Sequence, residues 1–262
     1  MSQEKMIVEK RGAVLLIGFN RPEKRNAFDV DMYFILAEAF GRLQADPDLR
    51  CGLVYSVGPH STSGLDLAKW AAIFAKGEPP QLPDGSVEPF GWNEDRRLGK
   101  PVVMAAQGIC YTVGLELMLA CDIRVAASDA RFAQIEIKRG IFPVGGATVR
   151  LMNEIGWGNA MRYLLTGDEI TAPEALRMGL VQEVVEPGRQ FDRALELAER
   201  VTKQAPLGVS ATLASARTAR IDGDRVAMAR LITDLLPIMK SEDAAEGLKA
   251  FLERREADFK GR

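Results

Sequence analysis

The chain has 262 residues, of which 47% are hydrophobic, and this is enough to bury a large core without disulfides or structural metal ions. Its 34 basic and 36 acidic residues give a formal charge of −2, with no basic block long enough to follow a phosphate backbone, so we expect no nucleic acid partner. The three cysteines, Cys51, Cys110 and Cys121, lack CxxC spacing, and the sequence shows no secretory leader. These features favour a cytoplasmic protein with reduced thiols.

The predicted elements begin with a hairpin, formed by Met6–Val8 and Ala13–Phe19 around a turn at Arg11 and Gly12. From Asp29 to the Asp46–Pro47 turn, apolar residues recur at three- and four-residue steps, which predicts an amphipathic helix. Farther along we predict the strand 53–57, the helix 69–76, a mobile loop rich in Gly and Pro at 77–91, the strand 102–106, the helix 114–120 and the strands 123–127 and 131–133.

The run Val102–Cys121 is apolar enough to suggest a membrane span, which needs about 20 residues. Pro101, Gly108 and Gly114 instead favour its division into a buried strand, a tight turn and a buried helix. We therefore expect core elements here and no membrane segment.

The C-terminal part of the chain changes to helical patterning. Thr171 and Glu174 form a capping-box pattern, and Gly179 suits the end of that helix before a strand predicted at 180–185. We predict two regions, a core at 1–205 and a helical region at 206–262. The second contains an apolar stripe that could pack within the chain or against another subunit, formed by Ala245, Leu248, Phe251, Leu252 and Phe259.

The chemistry of the chain is limited by what the sequence lacks. His60 is its only histidine, so a catalytic triad would have to use it, and a metal site of several histidines cannot form. No GxxxxGK[ST] loop occurs, and GWGNAM at 156–161 lacks the third glycine of a dinucleotide fingerprint. We therefore favour carboxylate chemistry without a cofactor or metal.

Two glycine turns and two glutamates are candidates for that chemistry. STSGLDL at 61–67 and QGICYTVGLELMLACD at 107–122 each place a glycine before a predicted helix, where unpaired N–H groups can hold a developing oxyanion. Glu116 and Glu136 lie in apolar stretches, and two carboxylates facing one water can serve as base and acid. The ordinary alternatives are a carboxylate stabilised by its own helix N-terminus for Glu116, and a surface residue at a strand end for Glu136.

The order and spacing of these segments resemble the enoyl-CoA hydratase/isomerase, or crotonase, superfamily over nearly the whole chain. The matching segments are NRPEKRNAF at 20–28, SxxGxDL at 61–67, KPVVMAAQG before GLELMLACDIRVA, PVGGAT, LLTGDEITAPEALRMGLVQEVV and AFLERREADFKGR. The resemblance implies an α/β fold, a crotonase-like spiral of β-β-α turns with a C-terminal helical trimerisation region, assembled as a homotrimer or homohexamer. It also implies hydration of a 2-enoyl-CoA thioester, with no cofactor other than the coenzyme A of the substrate.

The resemblance also assigns residue roles. The backbone N–H groups of Leu65 and Val113 would form the oxyanion hole, and Glu116 and Glu136 fall on the positions of the two catalytic glutamates, of which Glu136 would exchange the proton at the α carbon. Val144 would orient the attacking water. The coenzyme A groove would involve Lys24, Arg25, Ala27, Ser63, Leu65, Asp66 and Leu67. From the residues alone, Asp66 could equally cap a helix, and Lys24 and Arg25 could be solvated charges.

Three departures from the family pattern affect these expectations. Thr112, Val113 and Gly114 replace a glycine triplet, so the N–H of Val113 is usable only if its φ stays negative. His60 stands where Phe is common, and Ile135 where Pro often precedes the glutamate, so the acyl pocket differs. The alternatives that remain open are an isomerase, a decarboxylase, a thioester hydrolase and a non-catalytic acyl-CoA-binding protein.

Overall fold

A computed structural model describes residues 4–92 and 97–262. The strands are β1 (Met6–Arg11), β2 (Val14–Phe19), β3 (Cys51–Ser56), β4 (Val102–Ala106), β5 (Ile109–Tyr111), β6 (Ile123–Ala127), β7 (Arg131–Ala133), β8 (Ile170–Thr171) and β9 (Glu183–Val185). The helices are α1 (Val30–Ala45), α2 (Leu67–Lys76), α3 (Val113–Ala120), α4 (Ala147–Ile155), α5 (Trp157–Thr166), α6 (Ala172–Met178), α7 (Gln190–Thr202), α8 (Pro206–Asp222), α9 (Asp224–Met239) and α10 (Glu242–Glu253). The predicted α/β class is confirmed.

The strands form two sheets, and from β4 to β7 consecutive strands alternate between them. The larger sheet has the order β1-β2-β3-β4-β6-β9, in which only the β1–β2 hairpin is antiparallel. The smaller sheet has the order β5-β7-β8. Strand β4, strand β5 and helix α3 therefore make one turn, and β6, β7 and α4 make the next, since parallel neighbours need crossover connections. This is the expected β-β-α spiral.

The apolar run from residue 102 to 121 is divided into β4, β5 and α3: the predicted strand and helix are confirmed, whereas β5 was not predicted and follows directly after the turn at Gly108. Helix α3 is almost entirely buried, including Leu115, Leu117 and Met118, because it packs inside the spiral. Within the described residues, no helix combines the length and the hydropathy that a membrane crossing requires. The run is core, and its glycine turns lie at the candidate site described below.

The predicted strand at 180–185 is too long, because β9 covers only its last three residues. Gly179 adopts the left-handed conformation, and the N–H of Leu180 donates to the carbonyl of Ala175 at 2.8 Å. This Schellman-type end ties Leu180 to helix α6 instead of to the sheet. The capping box of Thr171 and Glu174 at the other end of α6 is confirmed.

The C-terminal region is helical from Pro206 onward, as predicted, but its apolar stripe is shorter than expected. Helix α10 ends at Glu253, so Phe259 lies outside the helix and returns towards Gly247. The side chains of Leu248, Phe251 and Leu252 are exposed. The division of the chain at residue 205 and the role of this region in trimerisation remain predictions.

Residues 77–92 contain no helix or strand, as predicted for this loop. Two of its side chains are nevertheless buried, those of Val87 and Phe90, and the N–H of Val87 donates to the carbonyl of Ala37 on α1 at 3.0 Å. The segment is therefore packed against α1, and its mobility remains a prediction.

Candidate active site

Glu116 lies in the first turn of α3 and is buried. Its carboxylate is not satisfied by its own helix N-terminus: it accepts a hydrogen bond at 3.2 Å from the N–H of Ala147, the first residue of α4. A Cβ at Gly145 would lie 2.5 Å from the Glu116 carboxylate, so only glycine fits there. Burial raises the pKa of Glu116, while the N–H groups of Ala147 and Gly145 and the charge of Arg150 oppose that rise.

Glu136 begins a short 3-10 turn just after β7, and its side chain is only partly buried. Burial and, to a smaller extent, the negative charge of Glu116 together raise the pKa of Glu136 to about 7. A carboxyl group with this pKa exchanges its proton near neutral pH, as a general acid or base requires.

Gln134 is a site residue that the sequence analysis missed. Oriented with its nitrogen towards Glu136, the buried amide donates to both carboxylate oxygens at 2.9 Å. These hydrogen bonds hold the Glu136 carboxylate in position. The sequence could have indicated Gln134, because it is a polar amide within the apolar stretch 132–137 and a buried amide needs a hydrogen-bond partner.

The two glutamates line one cavity of about 800 Å³. Of the predicted site residues, the cavity also contains Leu65, Val113, Ser63, Leu67 and Val144. Lys24, Arg25, Ala27 and Asp66 do not line it. The structure therefore brings Glu116, Glu136, Leu65 and Val113 together around one cavity, and their catalytic and oxyanion roles remain predictions.

Leu65 and Val113 follow two turns that touch each other. A Cβ at Gly64 would lie 2.4 Å from Oγ1 of Thr112, so the close approach of the turns requires glycine there. In the part of the chain that the structure describes, neither the N–H of Leu65 nor that of Val113 donates a hydrogen bond. Since both residues line the cavity, these two groups are the candidate donors to an oxygen atom bound there.

The positive φ of the second turn falls on Thr112, at φ 49° and ψ −114°, and Val113 is the first residue of α3. Val113 itself does not have a positive φ, so the condition for using its N–H is met. As a first-turn residue, it has an N–H with no acceptor inside the helix. Thr112 instead carries the strain, since β-branched residues rarely adopt positive φ. Its Oγ1 is buried and has no hydrogen-bond partner among the described residues.

We expect Thr112→Gly to raise the free energy of unfolding by about 1 kcal/mol. Release of the strain contributes roughly 1–3 kcal/mol, and the greater freedom of glycine in the unfolded chain costs roughly 0.5–1 kcal/mol. Urea denaturation measures the difference. Thr112→Ala is the matched control, because it removes the unpaired hydroxyl but keeps a Cβ at positive φ. Equal stability of the two variants would show that backbone strain is not the cause.

The predicted coenzyme A residues lie on a loop beside the cavity. The carbonyl of Arg25 accepts from the N–H of Ser63 at 2.9 Å, which places this loop against the cavity wall, while the side chains of Lys24 and Arg25 are exposed. Asp66 occupies the N-cap position of α2, but its side chain makes no capping hydrogen bond; it pairs with Arg21 at 3.0 Å. The capping alternative for the Asp66 side chain is therefore wrong.

His60 and the cysteines play structural parts. Nδ1 of His60 accepts from the N–H of Ile109 at 3.3 Å, and the side chain does not line the cavity. Cys51, Cys110 and Cys121 are free and buried, and burial raises the pKa of each thiol. The cysteines are buried packing groups, and the expectation that His60 alters the acyl pocket is wrong, because its side chain lies outside the cavity lining.

A β-β-α spiral with two carboxylates and two free backbone N–H groups around one cavity defines an enzyme of acyl-thioester chemistry. Comparison with known proteins identifies its family: the model of the enoyl-CoA hydratase/isomerase family matches residues 9–262, and the chain belongs to that family.

Similar proteins cover the whole chain. Enoyl-CoA hydratase EchA19 of Mycobacterium tuberculosis is 37% identical over 98% of this chain and 96% of its own length. Carnitinyl-CoA dehydratase of Salmonella arizonae is 36% identical over 98% of this chain and 99% of its own length. A crystal structure described as a probable enoyl-CoA hydratase/isomerase from Mycobacterium abscessus superposes with a TM-score of 0.95 at 46% identity, covering 100% of both chains.

Proposed function

We propose that the protein is an enoyl-CoA hydratase, which adds water reversibly to the double bond of a 2-enoyl-CoA thioester. The observation that carries this proposal is the shared cavity of Glu116 and Glu136 with the unpaired N–H groups of Leu65 and Val113. Relatives named as a hydratase and as a dehydratase support water addition in one direction and water removal in the other.

The thioester carbonyl would accept hydrogen bonds from the N–H groups of Leu65 and Val113. Negative charge grows on that oxygen as water attacks the β carbon, and each donor stabilises it by roughly 3–4 kcal/mol. Ionised Glu116 would accept a proton from the attacking water, and Glu136 would give its proton to the α carbon. The N–H of Val144 remains the proposed second support for this water.

The roles of the two carboxylates follow from their surroundings. Burial raises the pKa of both carboxyl groups; the N–H of Ala147 and the charge of Arg150 oppose that rise at Glu116, whereas the negative charge of Glu116 adds to it at Glu136. We therefore assign the base to Glu116 and the acid to Glu136. The step moves only protons and a hydroxyl group, so we propose that it needs no resident cofactor or metal.

The adenine and phosphate parts of coenzyme A would lie along the exposed loop at 24–27. Its cationic residues, Lys24 and Arg25, suit phosphate groups. The path into the cavity would be lined by Ala27, Ser63 and Leu67. The carboxylate of Asp66 is paired with Arg21, so Asp66 would form part of the groove wall without binding coenzyme A through its charge.

The first experiment is to incubate the purified protein with a series of 2-enoyl-CoAs and to follow the conjugated-thioester absorbance together with product mass. A product heavier by one water supports the hydratase. An isomerised product of unchanged mass, a free acid or release of CO₂ would each contradict it and identify the isomerase, hydrolase or decarboxylase. Binding of acyl-CoA without turnover would identify a non-catalytic relative.

The pH dependence should reflect Glu136. Hydration takes up no net proton, so its equilibrium constant does not depend on pH, and kcat/KM for hydration and for dehydration must share one profile. Above a pH of about 7 the pair loses its single proton. We therefore expect kcat/KM in both directions to fall roughly tenfold per pH unit on that side. A profile flat to pH 9 would show that Glu136 does not carry the proton.

We further propose that the exposed apolar side chains of α9 and α10 form the interface of a homotrimer or homohexamer. Met228, Ile232, Leu236, Phe251 and Leu252 are each more than half exposed in the single chain. Sedimentation velocity should show three or six chains per particle, and Ile232→Glu should shift the particle towards the monomer. A monomeric wild-type protein at micromolar concentration would contradict this assembly.

A further inference from the structure

Aromatic side chains form much of the wall of the cavity that holds the two glutamates. Six of its lining residues are aromatic: Phe28, Trp70, Phe74, Phe90, Trp92 and Phe142. The catalytic groups need none of them, since the proposed proton transfers use two carboxylates and two backbone N–H groups. Their concentration here bears on what the cavity holds next to the reacting atoms.

Four of these rings form two stacked pairs from separate segments. Trp70 and Phe74 lie one turn apart on α2, with ring centroids 6.0 Å apart and planes at 30°. Phe90 and Trp92, in the irregular segment before β4, have centroids 5.7 Å apart and planes at 24°. The ring of Tyr33 contacts both pairs, at 5.7 Å from Trp70 and 6.3 Å from Phe90, and joins them into one cluster.

The pairs are held in place before any ligand binds. The indole N–H of Trp70 donates to the carbonyl of Phe28 at 2.8 Å. The carboxylate of Glu88 accepts from the N–H groups of Phe90 at 3.0 Å and Trp92 at 2.8 Å. The first bond holds the Trp70 ring and the other two order the backbone that carries Phe90 and Trp92, so less entropy is lost when a ligand packs against them.

Much of this aromatic surface is uncovered. Phe74 is 49% exposed, Trp92 44% and Phe142 62%, although all three line the cavity. The cavity volume of about 800 Å³ lies in the range that holds drug-sized ligands, roughly 300–1,000 Å³, far more than a four-carbon acyl group fills. Among the described lining residues, the charged ones are the two glutamates and Arg139, whose side chain is exposed.

We propose that the acyl group of the substrate is bulky and uncharged and carries an aromatic ring beyond the double bond, which packs against the two aromatic pairs. A flat ring gains offset or edge contacts with aromatic walls that a flexible alkyl chain does not. This inference rests on the proposed hydratase function and specifies its substrate class.

The test compares acyl groups of equal carbon count. We would measure kcat/KM for 5-phenylpent-2-enoyl-CoA and undec-2-enoyl-CoA, which differ in whether the terminal carbons form a ring. The phenyl is separated from the double bond, so ring conjugation does not alter the hydration equilibrium. We expect a preference of about threefold to tenfold for the phenyl substrate. Equal rates or a preference for the alkyl chain would overturn the aromatic class while leaving the hydratase intact.

Two variants and one control test whether the aromatic side chains of the cavity cause the preference for the phenyl substrate. Phe74→Leu and Trp92→Leu remove ring faces from partly exposed positions, and we expect each to reduce the phenyl-to-alkyl ratio towards one. Trp157→Leu is the matched control, because Trp157 is an exposed tryptophan on α5 that does not line the cavity. An unchanged ratio in both cavity variants would overturn the proposal.

A trimethylammonium-bearing enoyl-CoA completes the series, since aromatic faces also bind quaternary ammonium groups. Faster hydration of this cationic substrate than of the phenyl substrate would overturn the uncharged class. Hydration of none of these substrates, nor of crotonyl-CoA, would refute the hydratase function and with it this inference.

Discussion

Glu116→Gln and Glu136→Gln should each lower kcat/KM for enoyl-CoA hydration by about 10²- to 10⁴-fold. Glutamine keeps the size of the side chain and its ability to hydrogen-bond, but it cannot take up or release the proton at neutral pH. The hydrogen bond from Ala147 to residue 116 can still be made to the amide oxygen. The loss of kcat/KM therefore measures the contribution of proton transfer. It is obtained from initial rates over a range of substrate concentrations that extends to saturation.

The double variant tests whether the two carboxylates act as a unit. Since each proton transfer needs the other, the double variant should lose little more activity than the worse single variant. Glu199→Gln, at an exposed position on α7, is the control and should keep the wild-type rate. Full activity in either single variant, with thermal stability reduced, would identify that glutamate as a packing carboxylate instead.

The elements that local pattern determines were predictable. Helix α1 follows from its three- and four-residue apolar spacing, and in the structure Asp29 caps its first turn by accepting from the N–H of Met32 at 3.0 Å. The glutamates were detectable for a related reason: a carboxylate inside an apolar segment is costly unless it has a partner or a function. Their apolar neighbours marked them without any knowledge of the fold.

The contacts between segments distant in sequence were not predictable from such patterns. The N–H that holds Glu116 comes from Ala147, 31 residues farther along the chain. The aromatic wall combines Trp70 from a helix with Phe90 from an irregular segment, and no periodicity links the two. Thr112 adopts the positive φ because the two turns meet, which is a tertiary constraint that overrides its own preference.

Val113→Pro should lower kcat by about 10²- to 10³-fold, which is the typical effect of removing one oxyanion donor. Proline lacks an N–H, and Val113 is the first residue of α3, a position at which proline is well tolerated. KM should change much less, because the carbonyl oxygen needs the donor most in the transition state. Val113→Ala keeps the N–H and should retain most of the activity.

Proline restricts the residue before it, and Thr112 is already at positive φ, so the substitution is best made in the Thr112→Gly background. Glycine tolerates this conformation, and Thr112→Gly alone then becomes the reference for both rate and thermal unfolding. If the double variant Thr112→Gly/Val113→Pro unfolds at the same temperature as Thr112→Gly but has a much lower kcat, the oxyanion donor is the N–H of residue 113. The same folded variant at the full rate would mean that the N–H of Leu65 holds the oxyanion without help from α3, and that the turn at 112 serves only to place Glu116.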